Sequence, residues 1–328
     1  MQLRLTFHRW RLAEPFVIAR ESIDEVPVLQ AELRDRAGHR GRSEAVGIDY
    51  EGETPASMAG QVEGLRGWLE ARDDLSPGDL LERLPAGGAR NLLDAALWDL
   101  EAKRSGVSVW QRAGITRPSR IATTYTIGLG TLEAVREQAR ARAHFPLLKL
   151  KVDATQHLER VQAVREAAPH VNLIVDANGA WTIVQLERLA PRLAQLGVVL
   201  IEQPLAPGDD ARLAGRRFAV PLAADESVTD RGSLERLGNG YQYVSLKLDK
   251  TGGLFEALAT ARLARQRGYG VMVGNMCGSS LAMAPAAVLA PLAEFVDLDG
   301  PLLQVDDVPD ALHFSDGWVE PPAPALWG

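Results

Sequence analysis

The chain has a single cysteine, Cys277, among 328 residues, which excludes a disulfide framework and a zinc site built from cysteines. No run of eighteen apolar residues occurs, so no transmembrane helix is expected, and the charged N-terminal segment lacks the apolar core of a secretory signal. Basic residues form no cluster and the net charge is −7, so nucleic acid is not an expected partner. These absences predict a cytoplasmic protein with no membrane partner.

Lysine is also scarce, although basic residues in general are not. Of the 36 lysine and arginine residues, five are lysine, and four of these fall in two short segments, LLKLKVD and VSLKLDKTGG. Arginine stays protonated near neutral pH, whereas lysine can act as a base when its surroundings lower its pKa. The concentration of four lysines in two segments of an arginine-rich chain therefore indicates a chemical role, with chance placement as the alternative.

The composition is globular, with 46% hydrophobic and 24% charged residues, and the length suits a large α/β domain with an additional unit. Residues 1–118 combine strand-like runs with helical patterns such as NLLDAALWDLEAKRSG, and they are predicted to form an α+β capping domain. Residues 119–300 are predicted to form the catalytic domain. Residues 301–328 are predicted to be a C-terminal segment that packs back on the capping domain.

From Ile121 onward, short apolar segments alternate with amphipathic helical stretches. Eight segments are predicted to be strands: IATTYTIG, PLLKLKV, VNLIVDAN, VVLIEQP, VPLAADES, QYVSLKLD, YGVMVGN and EFVDLDGP. Strands that alternate with helices predict parallel βαβ units. Because no clear helix follows the eighth segment, the predicted fold class is α/β, a modified TIM barrel of the (β/α)7β type. An open doubly wound sheet is the alternative, but no GxGxxG motif follows a strand.

Three carboxylates occupy equivalent places at the carboxyl ends of three consecutive predicted strands. They are Asp176 in LIVDANG, Glu202 in LIEQP and Asp225 in AADES, 26 and 23 residues apart. These strand ends meet at the mouth of a barrel, where TIM-barrel active sites lie. Converging carboxylates repel one another without a cation, and an all-oxygen set suits Mg²⁺ better than Zn²⁺. The three are the predicted metal ligands; three independent helix caps are the alternative.

Three lysines are predicted to face the same mouth. Lys149 and Lys151 are two residues apart on strand two, hence on one face, and Lys247 lies on strand six, opposite strand two in an eight-stranded barrel. Lys151 and Lys247 are therefore the predicted catalytic residues, one on each side of a substrate. To act as bases they need a pKa of roughly 7–8, which a neighbouring ammonium group and a nearby dication favour. Lys250 is interpreted as a surface lysine.

Two further carboxylates and an arginine are candidates for substrate binding. Asp297 and Asp299, in FVDLDGP, are predicted to share one face of strand eight and to hold a substrate cation such as an ammonium group, with a helix cap as the alternative. Arg20 lies in an N-terminal segment that could fold over the barrel mouth, although such an arginine is more often on the surface. Cys277, in GNMCGSS, is interpreted as a lining residue, because nothing nearby activates its thiol.

Taken together, these motifs resemble the enolase superfamily, and within it the muconate-lactonizing-enzyme subgroup. The resemblance covers essentially the whole chain and rests on LKLKV, VDANG, IEQP, ADES and LDKTGG in this order. DLD is similar to the Asp-x-Asp of dipeptide epimerases, and PFVIAR and LPAGGARNLLDAALWDLEAKR are similar to segments of bacterial L-Ala-D/L-Glu epimerases. The stretch GNMCGSS departs from the form found in some members, and the loop around Tyr50 matches no assignable pattern.

The resemblance implies a Mg²⁺-dependent isomerase that inverts the α-carbon of the C-terminal residue of a dipeptide, converting L-Ala-D-Glu to L-Ala-L-Glu in the degradation of murein peptides. It assigns six residues to substrate binding: Arg20, Thr126, Lys149, Met276, Asp297 and Asp299. Of these, Arg20 contacts the acidic side chain, the two aspartates hold the α-ammonium group, and Lys149 assists at the terminal carboxylate.

The residues themselves favour a two-base reaction. One lysine removes the α-proton beside a carboxylate held by the cation, and the opposite lysine protonates the other face of the enediolate; a Lys base with Mg²⁺ is the chemistry already described for enolase-superfamily sites.

The alternatives on the same site are N-acylamino acid racemisation, o-succinylbenzoate synthesis and muconate cycloisomerisation, followed by a Schiff-base aldolase. A barrel that binds peptides without catalysis is the alternative from another class. The expected partner is a small-molecule dipeptide, and a homo-oligomer is compatible with the sequence.

Overall fold

The computed structural model describes residues 1–18, 22–153 and 155–328. These ranges contain an antiparallel N-terminal sheet, a parallel sheet of eight strands and a small C-terminal sheet. The parallel strands follow one another in the sheet in the order of the sequence, so the sheet curls into a barrel. The predicted fold class, a (β/α)7β barrel with an α+β cap, is confirmed.

The N-terminal unit is a meander of three strands covered by helices. The strands are β1 Gln2–Val17, β2 Ser22–Arg34 and β3 Arg40–Ala45. The helices are α1 Pro55–Gly64, α2 Arg66–Glu70, α3 Gly88–Ser105 and α4 Val109–Ala113. Helix α3 forms where the apolar spacing predicts it, and it ends at Gly106, whose φ of 68° is a left-handed conformation that glycine adopts without strain.

This unit has its own apolar core between the sheet and α3. Leu29 and Leu33 of β2 and Leu93 of α3 are among its fully buried members. The helix lies so close to β3 that a Cβ atom at Gly41 would be 2.1 Å from the carbonyl oxygen of Ala96. The close packing of α3 on β3 therefore requires glycine at this position.

The barrel begins after β4 Ile121–Ala122, a two-residue strand outside the parallel sheet. The eight barrel strands are β5 Tyr125–Ile127, β6 Leu147–Lys151, β7 Asn172–Asp176, β8 Val198–Glu202, β9 Leu222–Ala224, β10 Tyr243–Leu246, β11 Gly270–Val273 and β12 Phe295–Val296. The backbone N–H of Thr124, next to β5, donates to the carbonyl oxygen of Val296 in β12 at 3.0 Å. This hydrogen bond joins the first and last strands of the curled sheet.

Helices follow the strands as the sequence predicts, except between β8 and β9, where the described chain forms only a 3-10 turn, Asp210–Leu213. The helices are α5 Leu132–Ala141, α6 His157–Ala167, α7 Ile183–Gln195, α8 Arg231–Arg236, α9 Leu248–Thr251, α10 Leu254–Gln266 and α11 Ser280–Ala287. In α7, for example, Thr182 and Gln185 form a capping box, and Leu186, Leu189 and Leu193 recur at helical spacing and are buried. Among the residues with a described structure, no helix is long and apolar enough to cross a membrane.

The C-terminal residues contact both units. Strands β13 Phe314–Ser315 and β14 Trp318–Val319 form a hairpin, and β14 pairs with β4 beneath the barrel. Further on, the indole N–H of Trp327 donates to the carbonyl oxygen of Ala95 in α3 at 3.0 Å. The last residues thus lie against the capping unit, while the hairpin belongs to the barrel side. The domain limits themselves stay predictions.

Candidate active site

The three predicted metal ligands lie at the carboxyl ends of neighbouring strands. Asp176 and Glu202 are the last residues of β7 and β8, and Asp225 directly follows β9. The parallel register places Asp176 beside Lys151 on one side and beside Glu202 on the other. All three carboxylates are fully buried, at 0% exposure. Because buried carboxylates on neighbouring strands repel one another, they require cationic partners.

Lysine ammonium groups supply positive charge to two of these acids. Lys149 Nζ lies 3.0 Å from Asp176 Oδ2 and 2.7 Å from Glu202 Oε2. Lys151 Nζ donates to Asp176 Oδ2 at 2.7 Å and to Asn178 Oδ1 at 3.1 Å. Both lysines belong to β6 and point to the same face of the strand, as their spacing predicts. Both reach the carboxylate of Asp176 on the next strand.

Lys247 and Lys250 surround the third acid. Strand β10 ends at Leu246, so Lys247 is the first residue beyond the strand rather than part of it, and its Nζ lies 2.8 Å from Asp225 Oδ2. Lys250 Nζ donates to Asp225 Oδ1 at 2.6 Å and to the carbonyl oxygen of Ser245 at 2.9 Å. Lys250 is 0% exposed. Its interpretation as a surface lysine is wrong, because the short helix α9 turns the side chain inward onto Asp225.

These contacts set the direction of the pKa shifts. Burial raises the pKa of Asp225, but the ammonium groups of Lys247 and Lys250 outweigh burial and hold the pKa below its ordinary value. Burial lowers the pKa of Lys247, yet the attraction of Asp225 prevails and raises the pKa above its ordinary value. We expected neighbouring cations to lower the pKa of this lysine. The structure differs because the ammonium group faces a carboxylate at ion-pair distance.

The chemistry of these residues fits a hard cation. Glu202 Oε1 is buried and has no hydrogen-bond donor among the described residues, and burial raises the pKa of this carboxyl. An unsatisfied buried carboxylate oxygen is the kind of atom that Mg²⁺ binds. No three histidine, cysteine, aspartate or glutamate side chains of the described ranges are arranged so that they could hold a metal ion. The ligand set therefore stays a prediction.

Asp297 and Asp299 form a second acidic pair on the other side of Lys149. Strand β12 ends at Val296, so both residues lie in the turn that follows it rather than on strand eight itself. Lys149 Nζ donates to Asp297 Oδ2 at 3.2 Å, and the backbone N–H of Thr126 donates to Asp299 Oδ2 at 2.6 Å. Burial, followed by repulsion from Asp297, raises the pKa of Asp299. The pair therefore favours a cation or a proton between its members.

A cavity of about 320 Å³ lies between the barrel mouth and the capping unit. The barrel contributes Lys151, Asn178, Lys247, Asn275, Met276 and Cys277 to its wall. The capping unit contributes mainly apolar and acidic residues: Phe16, Ile18, Ile23, Glu25, Val26, Pro27, Val46, Asp49, Tyr50, Glu53, Thr54 and Pro55. Strands β6 and β10, which bring the two lysines, are separated by three strands in the sheet. The two lysines therefore approach one cavity from well-separated strands.

The remaining predicted site residues are placed differently. Met276 and Cys277 line the cavity, whereas Thr126 is buried and reaches the site through the hydrogen bond of its backbone to Asp299. Arg20 lies outside the described residues. Of the described residues that line the cavity, Lys151 and Lys247 are the basic ones.

Sequence reasoning missed several polar residues around the site. Asn178 accepts a hydrogen bond from Lys151 and donates to Glu226 at 3.1 Å, and Tyr50 lines the cavity from the capping unit. Gln203, with a φ of 34°, accepts the backbone N–H of Asp225 at 2.9 Å. Gln203 and Glu226 directly follow predicted ligands in IEQ and ADE, and Asn178 lies two residues after one in VDAN. That position was an available signal, but Tyr50 gave none because its loop is far away in the sequence.

Comparison with known proteins agrees with this geometry. Residues 133–325 match the family described as enolase C-terminal domain-like. The chain belongs to the enolase superfamily, as its motifs predict. Its curated relatives include the L-Ala-D/L-Glu epimerase of Escherichia coli K12, 42% identical over 94% of this chain and 96% of that protein. They also include an N-acetyl-D-glutamate racemase of a Pseudoalteromonas species, 44% identical over 76% of this chain and 79% of that protein. Both relatives are isomerases.

Solved structures of similar fold carry ligands of the expected kinds. An enolase-family protein of Agrobacterium tumefaciens with homology to dipeptide epimerases, bound to sodium and L-Ala-L-Glu, has 37% sequence identity and a TM-score of 0.95, and covers 99% of each chain. A dipeptide epimerase of Methylococcus capsulatus in complex with Mg and L-Arg-D-Lys has 30% identity and a TM-score of 0.92, covering 99% of this chain and 98% of that one.

Proposed function

We propose that this protein is a Mg²⁺-dependent dipeptide epimerase that inverts the α-carbon of the C-terminal residue, with L-Ala-D-Glu and L-Ala-L-Glu as its substrate pair. The observation that carries the proposal is the placement of two lysines in the wall of one cavity. Lys151 ends β6 and Lys247 directly follows β10, with three strands between them. Two amines that approach one carbon from different sides can remove a proton from one face and return it to the other. The relatives of Escherichia coli and Methylococcus capsulatus support this assignment.

The charges around the cavity assign the parts of a dipeptide. Asp297 and Asp299 suit the α-ammonium group, because each is buried and one ammonium group satisfies both. Lys149, between this pair and the predicted metal ligands, suits the terminal carboxylate. The acidic side chain needs a further cation, and Arg20 is the candidate that the sequence provides.

The predicted metal ligands are Asp176, Glu202 and Asp225. Mg²⁺ held by them would stabilise the negative charge of the enediolate and weaken the attraction of the carboxylates for the lysine protons. These residues would act as a set, since each lies at the end of a neighbouring strand or directly after it.

The proton transfers belong to the lysines. The neutral amine of one lysine takes the α-proton, and the electron pair of the broken C–H bond is delocalised into the adjacent carboxylate as an enediolate. The ammonium group of the other lysine then donates a proton to the opposite face of the carbon, and a new C–H bond forms. Asn178 and Asp176 orient Lys151 for this step through their hydrogen bonds to its Nζ.

Deuterium incorporation tests this assignment. In D₂O, the wild-type enzyme is expected to exchange the α-proton of the glutamyl residue in both L-Ala-D-Glu and L-Ala-L-Glu. Lys151→Ala should abolish exchange from one isomer and Lys247→Ala from the other, and Lys→Arg should fail in the same way because arginine stays protonated. Lys103→Ala, which removes a lysine in the capping unit, is the matched control. A Lys151 or Lys247 variant that exchanged both isomers at the wild-type rate would contradict the two-base mechanism.

The second candidate is racemisation of N-acetylglutamate, which the Pseudoalteromonas relative favours. N-acetylglutamate lacks the ammonium group that Asp297 and Asp299 would bind, so buried charge would go unpaired in its complex. Parallel exchange assays with N-acetyl-L-glutamate and L-Ala-L-Glu separate the two functions. Efficient turnover of the N-acetyl compound without turnover of the dipeptide would replace the first assignment.

The proposal includes a cytoplasmic location and a role in the breakdown of cell-wall peptides, both carried by the resemblance to bacterial L-Ala-D/L-Glu epimerases. L-Ala-D-Glu is a murein fragment, and ordinary peptidases cleave its L,L form. Deletion of the gene should prevent growth on L-Ala-D-Glu as the nitrogen source but permit growth on L-Ala-L-Glu. Equal growth of the deletion strain on both dipeptides would contradict the cellular role.

A further inference from the structure

Asn275 holds the two carboxylates of Asp297 and Asp299 with a single amide nitrogen. It follows β11 by two residues, and its Nδ2 lies 3.3 Å from Asp297 Oδ1 and 3.2 Å from Asp299 Oδ1. The same nitrogen donates to the carbonyl oxygen of Asp297 at 3.0 Å. One amide group therefore connects both side chains of the acidic pair.

The orientation of this amide is fixed from its other end. Asn275 Oδ1 accepts the backbone N–H of Cys277 at 2.6 Å. A flipped amide would place its NH₂ group against that N–H and its oxygen against two carboxylates. The hydrogen-bond network therefore allows only one orientation, in which the donor side faces the acids.

The other contacts of the pair leave a defined role for this amide. Asp297 Oδ1 also accepts the hydroxyl of Thr124 at 2.7 Å, and Asp299 Oδ2 accepts the backbone N–H of Thr126. These donors, and Lys149 at Asp297 Oδ2, each hold one carboxylate, whereas Asn275 holds both. The shared nitrogen therefore fixes the separation of the two Oδ1 atoms, which like charge would otherwise push apart.

Asn275 also stands between the acidic pair and the cavity. It is a lining residue of the cavity, whereas Asp297 and Asp299 are buried at 3% and 2% exposure and are not among the described residues of the wall. The Asn275 amide therefore lies nearer the cavity than the two carboxylates that it connects.

We propose that Asn275 determines which group the enzyme accepts on the amino nitrogen of its substrate. By fixing the spacing of Asp297 and Asp299, the amide keeps both oxygens ready for one ammonium group, which an N-acyl nitrogen cannot replace. The proposal rests on the proposed function, since it assumes that the acidic pair binds the dipeptide's ammonium group. Asn275 acts through the carboxylates and is a specificity-determining residue rather than a base.

Two substitutions separate this role from a role in the shape of the loop. Asn275→Ser retains an oxygen that can accept the Cys277 N–H, as serine does in such turns, but it cannot reach both carboxylates. Asn275→Ala removes both functions. Asn172→Ser is the matched control, because Asn172 begins β7 at the far end of the barrel and donates to Pro146 there. Thermal unfolding of each variant checks that it is folded.

Each enzyme is assayed with L-Ala-L-Glu and with N-acetyl-L-glutamate by exchange in D₂O. Both Asn275 variants are expected to raise KM for the dipeptide about tenfold, the scale of a lost hydrogen bond to a charged group, while kcat changes less than threefold. The kcat/KM for N-acetyl-L-glutamate should change less than threefold, so discrimination between the substrates falls about tenfold. The control should match the wild type.

Other outcomes overturn the proposal. Wild-type behaviour of Asn275→Ser beside a weakened Asn275→Ala would assign the residue to loop structure. An equal loss with both substrates, or no loss with either, would remove its role in discrimination while leaving the epimerase function intact. A wild-type enzyme that exchanges N-acetyl-L-glutamate but not L-Ala-L-Glu would overturn the proposed function itself, and this inference with it.

Discussion

Replacing Lys250 with methionine is expected to destabilise the protein strongly, although the residue is predicted from sequence to lie on the surface. The methionine side chain is apolar and similar in length to the lysine stem, so it fills the same buried space without the ammonium group. Asp225 Oδ1 and the carbonyl oxygen of Ser245 then lose their donor. Asp225 is fully buried, so water cannot replace that donor.

The size of the effect follows from this geometry. Removing one partner of a buried ion pair costs about 3–5 kcal/mol, because the other charge stays buried without its partner. Asp225 retains Lys247 at 2.8 Å, which places the expected loss at the lower end, about 3 kcal/mol. With about 2–4 °C per kcal/mol, the midpoint of thermal unfolding should fall by roughly 6–12 °C.

Circular dichroism during heating, and urea unfolding at 25 °C, measure the effect. Arg212→Met is the control, because Arg212 pairs with Asp209 and their side chains are 61% and 53% exposed, so its loss should cost at most about 1 kcal/mol. A double-mutant cycle with Asp225→Asn should give a coupling energy of about 1–3 kcal/mol between the two residues. A Lys250→Met protein as stable as the wild type, with no coupling to Asp225, would refute this account of the buried pair.

Three further outcomes are expected. Chelation should abolish epimerisation and Mg²⁺ should restore it, and Glu202→Gln should lower kcat by about two orders of magnitude or more; full activity after exhaustive removal of metal would contradict the metal site. Burial raises the pKa of Asp249 to about 6, so this carboxyl favours the folded state most below its ordinary pKa of 3.8 and loses that contribution as the pH rises through 6. Asp249→Asn can still accept the N–H groups of Val46 and Gly47. Its free energy of unfolding should therefore rise by up to about 3 kcal/mol relative to that of the wild type between pH 4 and pH 8. If urea unfolding gave the same difference between the two proteins at both pH values, this account of Asp249 would be wrong. Arg20→Met should shift preference from acidic towards apolar second residues, and a competition assay that still favoured L-Ala-L-Glu would exclude Arg20 from side-chain recognition.

The architecture could be predicted from local patterns because it depends on them. Strands β6, β7 and β8 coincide with apolar runs that end in a polar residue, and the helices between them carry apolar side chains at helical spacing. The predicted strand ends were wrong at Lys247 and Asp297, which lie just beyond β10 and β12 rather than in them. At these ends the chain turns away to form other contacts, and such contacts are not encoded in periodicity.

The sequence by itself also predicted that three carboxylates and three lysines meet at one barrel mouth. A carboxylate at each of three successive strand ends, and four of the five lysines in two short segments, need no coordinates to be recognised. The reason is that a parallel barrel gathers all its carboxyl strand ends at one mouth, so spacing along the chain translates directly into proximity.

Tertiary structure alone decided the partners of those residues. Lys250 and Lys247 differ by three positions in the sequence, yet both reach Asp225, and Tyr50 enters the cavity from the distant capping unit. Asn275 contacts Asp297 and Asp299 only because β11 and β12 are neighbours in the sheet. Residues that are remote in sequence determine how deeply a side chain is buried and in which direction its pKa shifts. They also determine whether two carboxylates share one amide. Only the packed tertiary structure therefore decides these properties.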